Sequence, residues 1–231
     1  MTTIGSRSFA ARGNTNPFKP HPIMHSISRK LLVAAAAASL PAILGTAFGA
    51  EPETPTLRGT YQKHFLVGAA LSARTVNGRD RKAGDFAGEQ FSCVTAENEM
   101  KWQSLHPQPE RYQFAAADAY FDFARKYKMA VIGHTLVWHS ETPRWVFEGA
   151  PGKPATRQEL LQRMRDHIHT VAGRYKGRIK GWDVVNEALA DGGREVLRDS
   201  PWRRIIGDDF LDHAFRFARE AWKTHASGRT A

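Results

Sequence analysis

Four short apolar runs punctuate the chain: FLVGAA over residues 65–70, FSCVT over 91–95, AVIGHTLVW over 130–138 and IKGWDVV over 179–185. Each is bounded by turn residues and has the length of a strand buried on both faces, the habit of parallel sheets. A stretch with helical spacing follows each run. The clearest covers residues 157–175, where Leu161, Met164, Ile168, Val171 and Tyr175 recur three and four residues apart and predict one apolar face. Thr156 and Glu159 stand at the spacing of a capping box, which fixes the helix start by satisfying N–H groups that the first turn leaves unpaired. In the helix before it Phe121, Ala124 and Lys128 share one side; in the last helix Leu211, Ala214, Phe215, Ala218 and Trp222 do. Strands alternating with helices predict an α/β fold with a parallel sheet, either doubly wound or closed as a barrel.

The chemically capable residues separate those two folds. TAENEMKW follows the second run, GHTLVWHSETP ends the third and VVNEA ends the fourth, so polar side chains gather where strands end. An eight-stranded α/β barrel builds its active site from the C-terminal ends of several strands. A dinucleotide-binding sheet carries a glycine fingerprint after its first strand, whereas VGAALSARTVNG lacks the G-x-G-x-x-G spacing and no G-x-x-x-x-G-K-[ST] occurs. The barrel is the expected fold.

Composition changes the picture mainly at the amino terminus. Residues 1–50 hold Arg7, Arg12, Lys19, Arg29 and Lys30 and no acid, so half of the formal charge of +10 resides there. Ser28-Arg29-Lys30 precedes the apolar LLVAAAAASLPAIL and the small residues 45–50, the basic, apolar, small-residue order of a secretory signal, with cleavage expected after Gly49 or Ala50. A start at Met24 would give that leader an ordinary length. The uncharged run over residues 31–50 is long enough for a membrane anchor. Its alanine richness and Pro41 favour a cleaved signal, hence a secreted or periplasmic product with no membrane attachment. Residues 51–60 read as a linker, 61–221 as the barrel portion and 222–231 as a tail that loses the apolar pattern. One cysteine cannot form an internal disulfide. Basic residues cluster only at Arg174, Lys176, Arg178 and Lys180, an alternation that fits a solvated helix end, so no nucleic-acid partner is expected.

Three motifs resemble the strand-end motifs of family 10 glycoside hydrolases, the retaining endo-1,4-β-xylanases: FSCVTAENEMKW at 91–102, GHTLVWHSETPRWV at 133–146 and WDVVNEA at 182–188. The resemblance covers about Tyr61 to Ala221 and implies a (β/α)8 barrel acting on xylan, of which about the first four β/α units are present. Cleaving a glycosidic bond this way needs an acid to protonate the leaving oxygen and a second carboxylate as nucleophile on the other face of the sugar. By resemblance Glu187 is the general acid and then the base. Behind Trp182, Val184 and Val185 it is expected in a partly apolar setting that keeps it protonated. Asn186 offers an amide to the sugar 2-hydroxyl. The match also implies that Trp138 gives a flat face and His134 a neutral donor to the cleaved sugar. Glu97, Asn98 and Lys101 match the positions that grip the neighbouring xylose.

No cofactor or metal is expected. His134 and His139 are five apart where a strand meets a proline-bearing loop, not four apart on a helix as H-E-x-x-H requires, and His167 and His169 do not share a helix face. Glu141 departs from the glutamine usual in the family. The larger departure is the nucleophile, a glutamate on the seventh strand in the family, which no carboxylate here matches. A complete barrel takes about 250 residues. The expectation is therefore an inactive portion of a xylanase, prone to self-association through open sheet edges; the alternative is a non-catalytic secreted remnant or weak sugar binder.

Overall fold

The computed structural model describes residues 54–223. The expected leader over 1–50, the start of the linker and residues 224–231 lie outside the described residues. Four strands, β1 Gly68–Leu71, β2 Cys93–Ala96, β3 Ala130–Val137 and β4 Gly181–Val185, form one parallel sheet in the order β1-β2-β3-β4. Gly68 stands opposite Cys93, Cys93 opposite Ala130 and Ile132 opposite Gly181. Every crossover leads to the next strand in the same direction. Right-handed crossovers then place the connecting helices on one face, as in a barrel wall, and the order contains no reversal of the kind a doubly wound sheet needs.

Eight α-helices and a 3-10 turn at Arg144–Val146 accompany the strands among the described residues: α1 Leu57–Tyr61, α2 Ala73–Val76, α3 Arg81–Gln90, α4 Trp102–Leu105, α5 Ala115–Tyr127, α6 Arg157–Arg174, α7 Pro201–Ile206 and α8 Phe210–Lys223. Two of them alter the expected boundaries. α1 lies where a linker is expected through residue 60. Arg58 ties it down, its guanidinium donating to the carbonyls of Gly88, Tyr127 and Lys128. α8 runs two residues into the expected tail. The first strand also begins three residues late. Phe65 is 58% exposed and stacks on Tyr61 with ring centroids 4.9 Å apart, so these aromatics cap the turn after α1 rather than fill a strand.

α6 carries the predicted capping box. Thr156 N–H donates to Glu159 Oε2 at 2.7 Å, and Glu159 N–H to Thr156 Oγ1 at 3.2 Å. Its buried face is Leu160, Met164, His167, Ile168, Val171 and Ala172, with Leu161 only half-buried. On α5 the buried residues are Ala117, Tyr120, Phe121, Phe123 and Ala124. Lys128 is not on that face. It follows the helix in a left-handed conformation, φ +54, and is exposed. α8 buries Phe210, Ala214, Ala218 and Ala221, while Leu211, Phe215 and Trp222 pack against the core from its margin.

The two arginines of the basic cluster are engaged in packing. Arg174 pairs with Asp118 at 2.5 Å and lies 4.4 Å over the Phe114 ring, and Arg178 lies 4.9 Å over Phe121. A second aromatic assembly binds the segment after β2 to α6. Trp102 stacks on His167 at 3.6 Å and His106 on Tyr112 at 3.8 Å, while the two histidines approach Nδ1 to Nδ1 at 3.3 Å. His106 Nε2 lies 2.9 Å from the Pro109 carbonyl. A carbonyl only accepts, so His106 donates from Nε2, accepts at Nδ1, and receives its proton from His167 Nδ1.

Candidate active site

The ends of β2, β3 and β4 meet at Trp138. Its indole Nε1 donates to Glu187 Oε2 at 3.0 Å, and Lys101 Nζ stands 5.1 Å over its ring. Two donors hold its carbonyl in turn: Trp202 Nε1 at 2.9 Å and Thr142 Oγ1 at 2.7 Å. Buried Trp202, from α7, thus fixes the backbone from which the half-buried indole projects. Three motifs separated in sequence converge on one side chain.

Along β3 the residues alternate in role. Gly133 faces the helices, where an added Cβ would land on the Trp182 ring, so only glycine lets that ring pack. His134 faces the other way, its Nδ1 3.0 Å from Asp183 Oδ2; Asp183 is only 4% exposed. The carboxylate accepts, so His134 donates from Nδ1 and, in the neutral ring, presents Nε2 as an acceptor. Thr135 Oγ1 donates to the Asp183 carbonyl at 2.8 Å, locking β3 to β4.

After β2 the chain turns sharply. Glu97 N–H donates to the Leu71 carbonyl at 3.2 Å, which carries the β1–β2 pairing one residue past the strand, and the Glu97 side chain is exposed. Lys101 Nζ donates to Asn98 Oδ1 at 2.8 Å, and Asn98 N–H donates to Glu99 Oε2 at 3.2 Å. Beneath them the Tyr120 hydroxyl lies 2.6 Å from Glu99 Oε2 and 2.8 Å from the Leu71 carbonyl. Burial, then the hydrogen bond and charge of Glu99, push the Tyr120 phenol far up, so it keeps its proton and serves as a fixed post for Glu99.

At the end of β4, Asn186 N–H donates to the Val137 carbonyl at 2.9 Å. Glu187 follows with φ +49. Its side chain is 48% exposed, so the apolar enclosure expected from the sequence is not provided by the described residues. Alternation explains the difference. Asp183 faces His134, which sends Trp182 and Val184 to the opposite, helix-facing side, where Trp182 lies 6.2 Å from Tyr175. The neighbours of Glu187 are polar instead. His139 Nε2 is 3.8 Å from its Oε2, and Arg198 Nε donates to its carbonyl at 3.0 Å.

The structure therefore brings Lys101, Trp138 and Glu187 together, and sets Asn98 beside Lys101 and His134 on β3. Sequence reasoning missed Asp183, His139, Arg198, Asp191, Glu99 and Tyr120. Only Asp183 carried a signal, since a carboxylate inside the buried run WDVV needs a partner.

A family model described as glycosyl hydrolase family 10 matches residues 56–226. The chain belongs to that family. Its curated relatives include endo-1,4-beta-xylanase B of Paenibacillus barcinonensis, 45% identical over 169 residues, covering 73% of this chain and 50% of the relative. Another is endo-1,4-beta-xylanase A of Xylanibacter ruminicola, 46% identical over 167 residues, covering 72% of this chain and 45% of the relative. Among solved structures, xylanase XynB from Paenibacillus barcinonensis complexed with a conduramine derivative superposes with a TM-score of 0.69 at 44% identity, over 74% of this chain and 50% of that one. A mutant in complex with xylotriose gives a TM-score of 0.69 at 40% identity, over 74% of this chain and 51% of that one. The family fold is a (β/α)8 barrel, and the sequential four-stranded sheet is part of such a barrel. The chain spans about half the length of the relatives it matches.

Proposed function

We propose that the site is the acid/base half of an endo-1,4-β-xylanase, cleaving β-1,4-xylosidic bonds in xylan with Glu187 as general acid and then general base. The observation that carries this reading is the Trp138 junction, where an aromatic face suited to a pyranose ring touches the acid on one side and the Lys101–Asn98 pair on the other. Trp138 holds Oε2 of Glu187, which leaves Oε1 to exchange a proton with the leaving oxygen and later with water. Lys101 and Asn98, with the exposed Glu97, offer donors and acceptors to the hydroxyls of the next sugar. Asn186 supplies an amide beside the acid. The names of the relatives and the xylotriose complex of one of them support xylan as the substrate.

The reaction also needs a second carboxylate about 5 Å from the first, acting as nucleophile. Buried Asp183 is engaged by His134 and Asp191 by Arg198, which makes neither a candidate. The 231-residue chain assayed by itself is therefore expected to release no measurable reducing sugar from xylan. Residues 56–226 joined to the second half of the Paenibacillus barcinonensis xylanase B, called here the completed barrel, are expected to release it from xylan and not from β-1,4-mannan. A completed, folded barrel inactive on xylan would refute the reading. The leader pattern over residues 28–50 supports export, which suits a polymeric substrate. Amino-terminal sequencing of exported protein should then start at Ala50 or Glu51, and an intact leader on it would count against export by cleavage.

A further inference from the structure

Glu187 leaves β4 with a left-handed backbone, a conformation that a residue bearing a Cβ adopts at a cost and keeps only where its surroundings hold it. One side chain does so. Arg198 Nε donates to the Glu187 carbonyl, and the rest of the same guanidinium is forked onto Asp191 at 2.8 and 2.7 Å. The loop between them closes on itself: Ala190 N–H donates to the Val196 carbonyl at 3.0 Å and Arg198 N–H to the Ala188 carbonyl at 2.9 Å. An ion pair with so exposed a partner as Asp191 adds little stability. A planar fork aimed at one backbone oxygen fixes geometry instead, which an ammonium cannot do.

The same pair sets the local charge. Burial first, and then the Arg198 cation, hold His139 below its ordinary value, while Glu187 and Asp191 pull the other way. Those three are the charged groups facing the ring, and its own segment offers it the uncharged Trp138, edge-on at 5.9 Å. An imidazolium at this distance from Glu187 would favour the carboxylate, whereas an acid that begins each cycle protonated is served by a neutral neighbour.

We propose that the Asp191–Arg198 pair is a clasp that positions the backbone of Glu187 and governs the charge beside its carboxyl, a role that rests on the reading of Glu187 as the acid. Arg198 is a positioning residue and Asp191 its anchor. The test is nuclear magnetic resonance on the full 231-residue chain, following the His139 ring through a pH titration and the Glu187 amide at fixed pH, in Arg198→Gln, Arg198→Lys and Asp191→Asn. Removing the cation is expected to raise the His139 midpoint by about half a pH unit, and removing the Asp191 charge to lower it. Arg198→Lys keeps the charge and should leave His139 near its parent value, yet move the Glu187 amide, because the fork is gone. Opposite shifts from the two members of one pair are an electrostatic signature that a merely structural loss does not produce. An unmoved His139 in both Arg198→Gln and Asp191→Asn, or an unmoved Glu187 amide in Arg198→Lys, overturns the clasp. If Arg198→Gln loses spectral dispersion, the other two variants decide. None of these readouts needs turnover, so they stand or fall apart from the catalytic reading, which Glu187→Gln tests.

Discussion

Glu187→Gln in the completed barrel is expected to lower kcat/KM on xylan by about 10²–10⁴-fold, the range that a general acid contributes. The loss should depend on the leaving group. A sugar alkoxide must be protonated as it departs, whereas an activated aryl leaving group departs without help, so kcat/KM for such a xyloside should fall by no more than about tenfold. Removing the base for the second step should still lower kcat on that substrate and pull KM down with it, as the glycosyl-enzyme accumulates. Glutamine can still accept from Trp138 Nε1, which keeps the junction closed. Steady-state rates on the two substrates check this. Equal losses on both would mean that Glu187 does not deliver the leaving-group proton.

Acid is expected to weaken the fold from about pH 6.5 downward through His106 and His167. Burial lowers the pKa of both rings, and His106 lowers His167 further, while the Pro109 carbonyl and Glu110 partly restore His106. The unfolded chain takes up those protons near pH 6.5 and the folded chain at lower pH, so the unfolded state binds more protons in between. Stability is then full above the unfolded value and is lost as pH falls, by about 1.4 kcal/mol per pH unit for each ring that stays neutral. His167 carries more of that loss than His106, because its burial is the more complete and His106 lowers it further. The loss falls on the packing of the Trp102–His106 segment against α6, in the stretch of chain that follows Glu97, Asn98 and Lys101. Urea midpoints at pH 5 and 7 check this with His167→Asn, whose amide can still donate to His106 Nδ1 but does not titrate. The variant should be less stable at pH 7, having lost its stack on Trp102, and the gap should narrow at pH 5. An equal gap at both pH values would show that His167 does not titrate with unfolding.

The strand and helix order was legible because each buried run is short and each helix has a repeating apolar face. Thr156 and Glu159 announced α6 because a capping box is local. Where elements meet others far along the chain, periodicity was blind. α1 is held by Arg58 on carbonyls some 30 and 70 residues away, and nothing local marks that docking. His167 was read only as a helix residue off any metal pattern, because its partners Trp102 and His106 come from another segment. The site shows the same division. Motif matching placed Glu187, Trp138 and Lys101, and the structure joins them. It did not find the Asp191–Arg198 clasp, whose spacing across a loop has no recurring signature, nor the pairing of His134 with Asp183, which sits on a different strand.

The most direct measurement is reducing sugar released from xylan by three purified proteins side by side: the completed barrel, its Glu187→Gln variant and the 231-residue chain alone. Release by the first, with at most about a hundredth of that rate from the variant and none from the chain, is the expected result. Undiminished release by the Glu187→Gln variant would contradict the assignment of the acid, and release by the chain alone would contradict the need for a second carboxylate beyond the residues described.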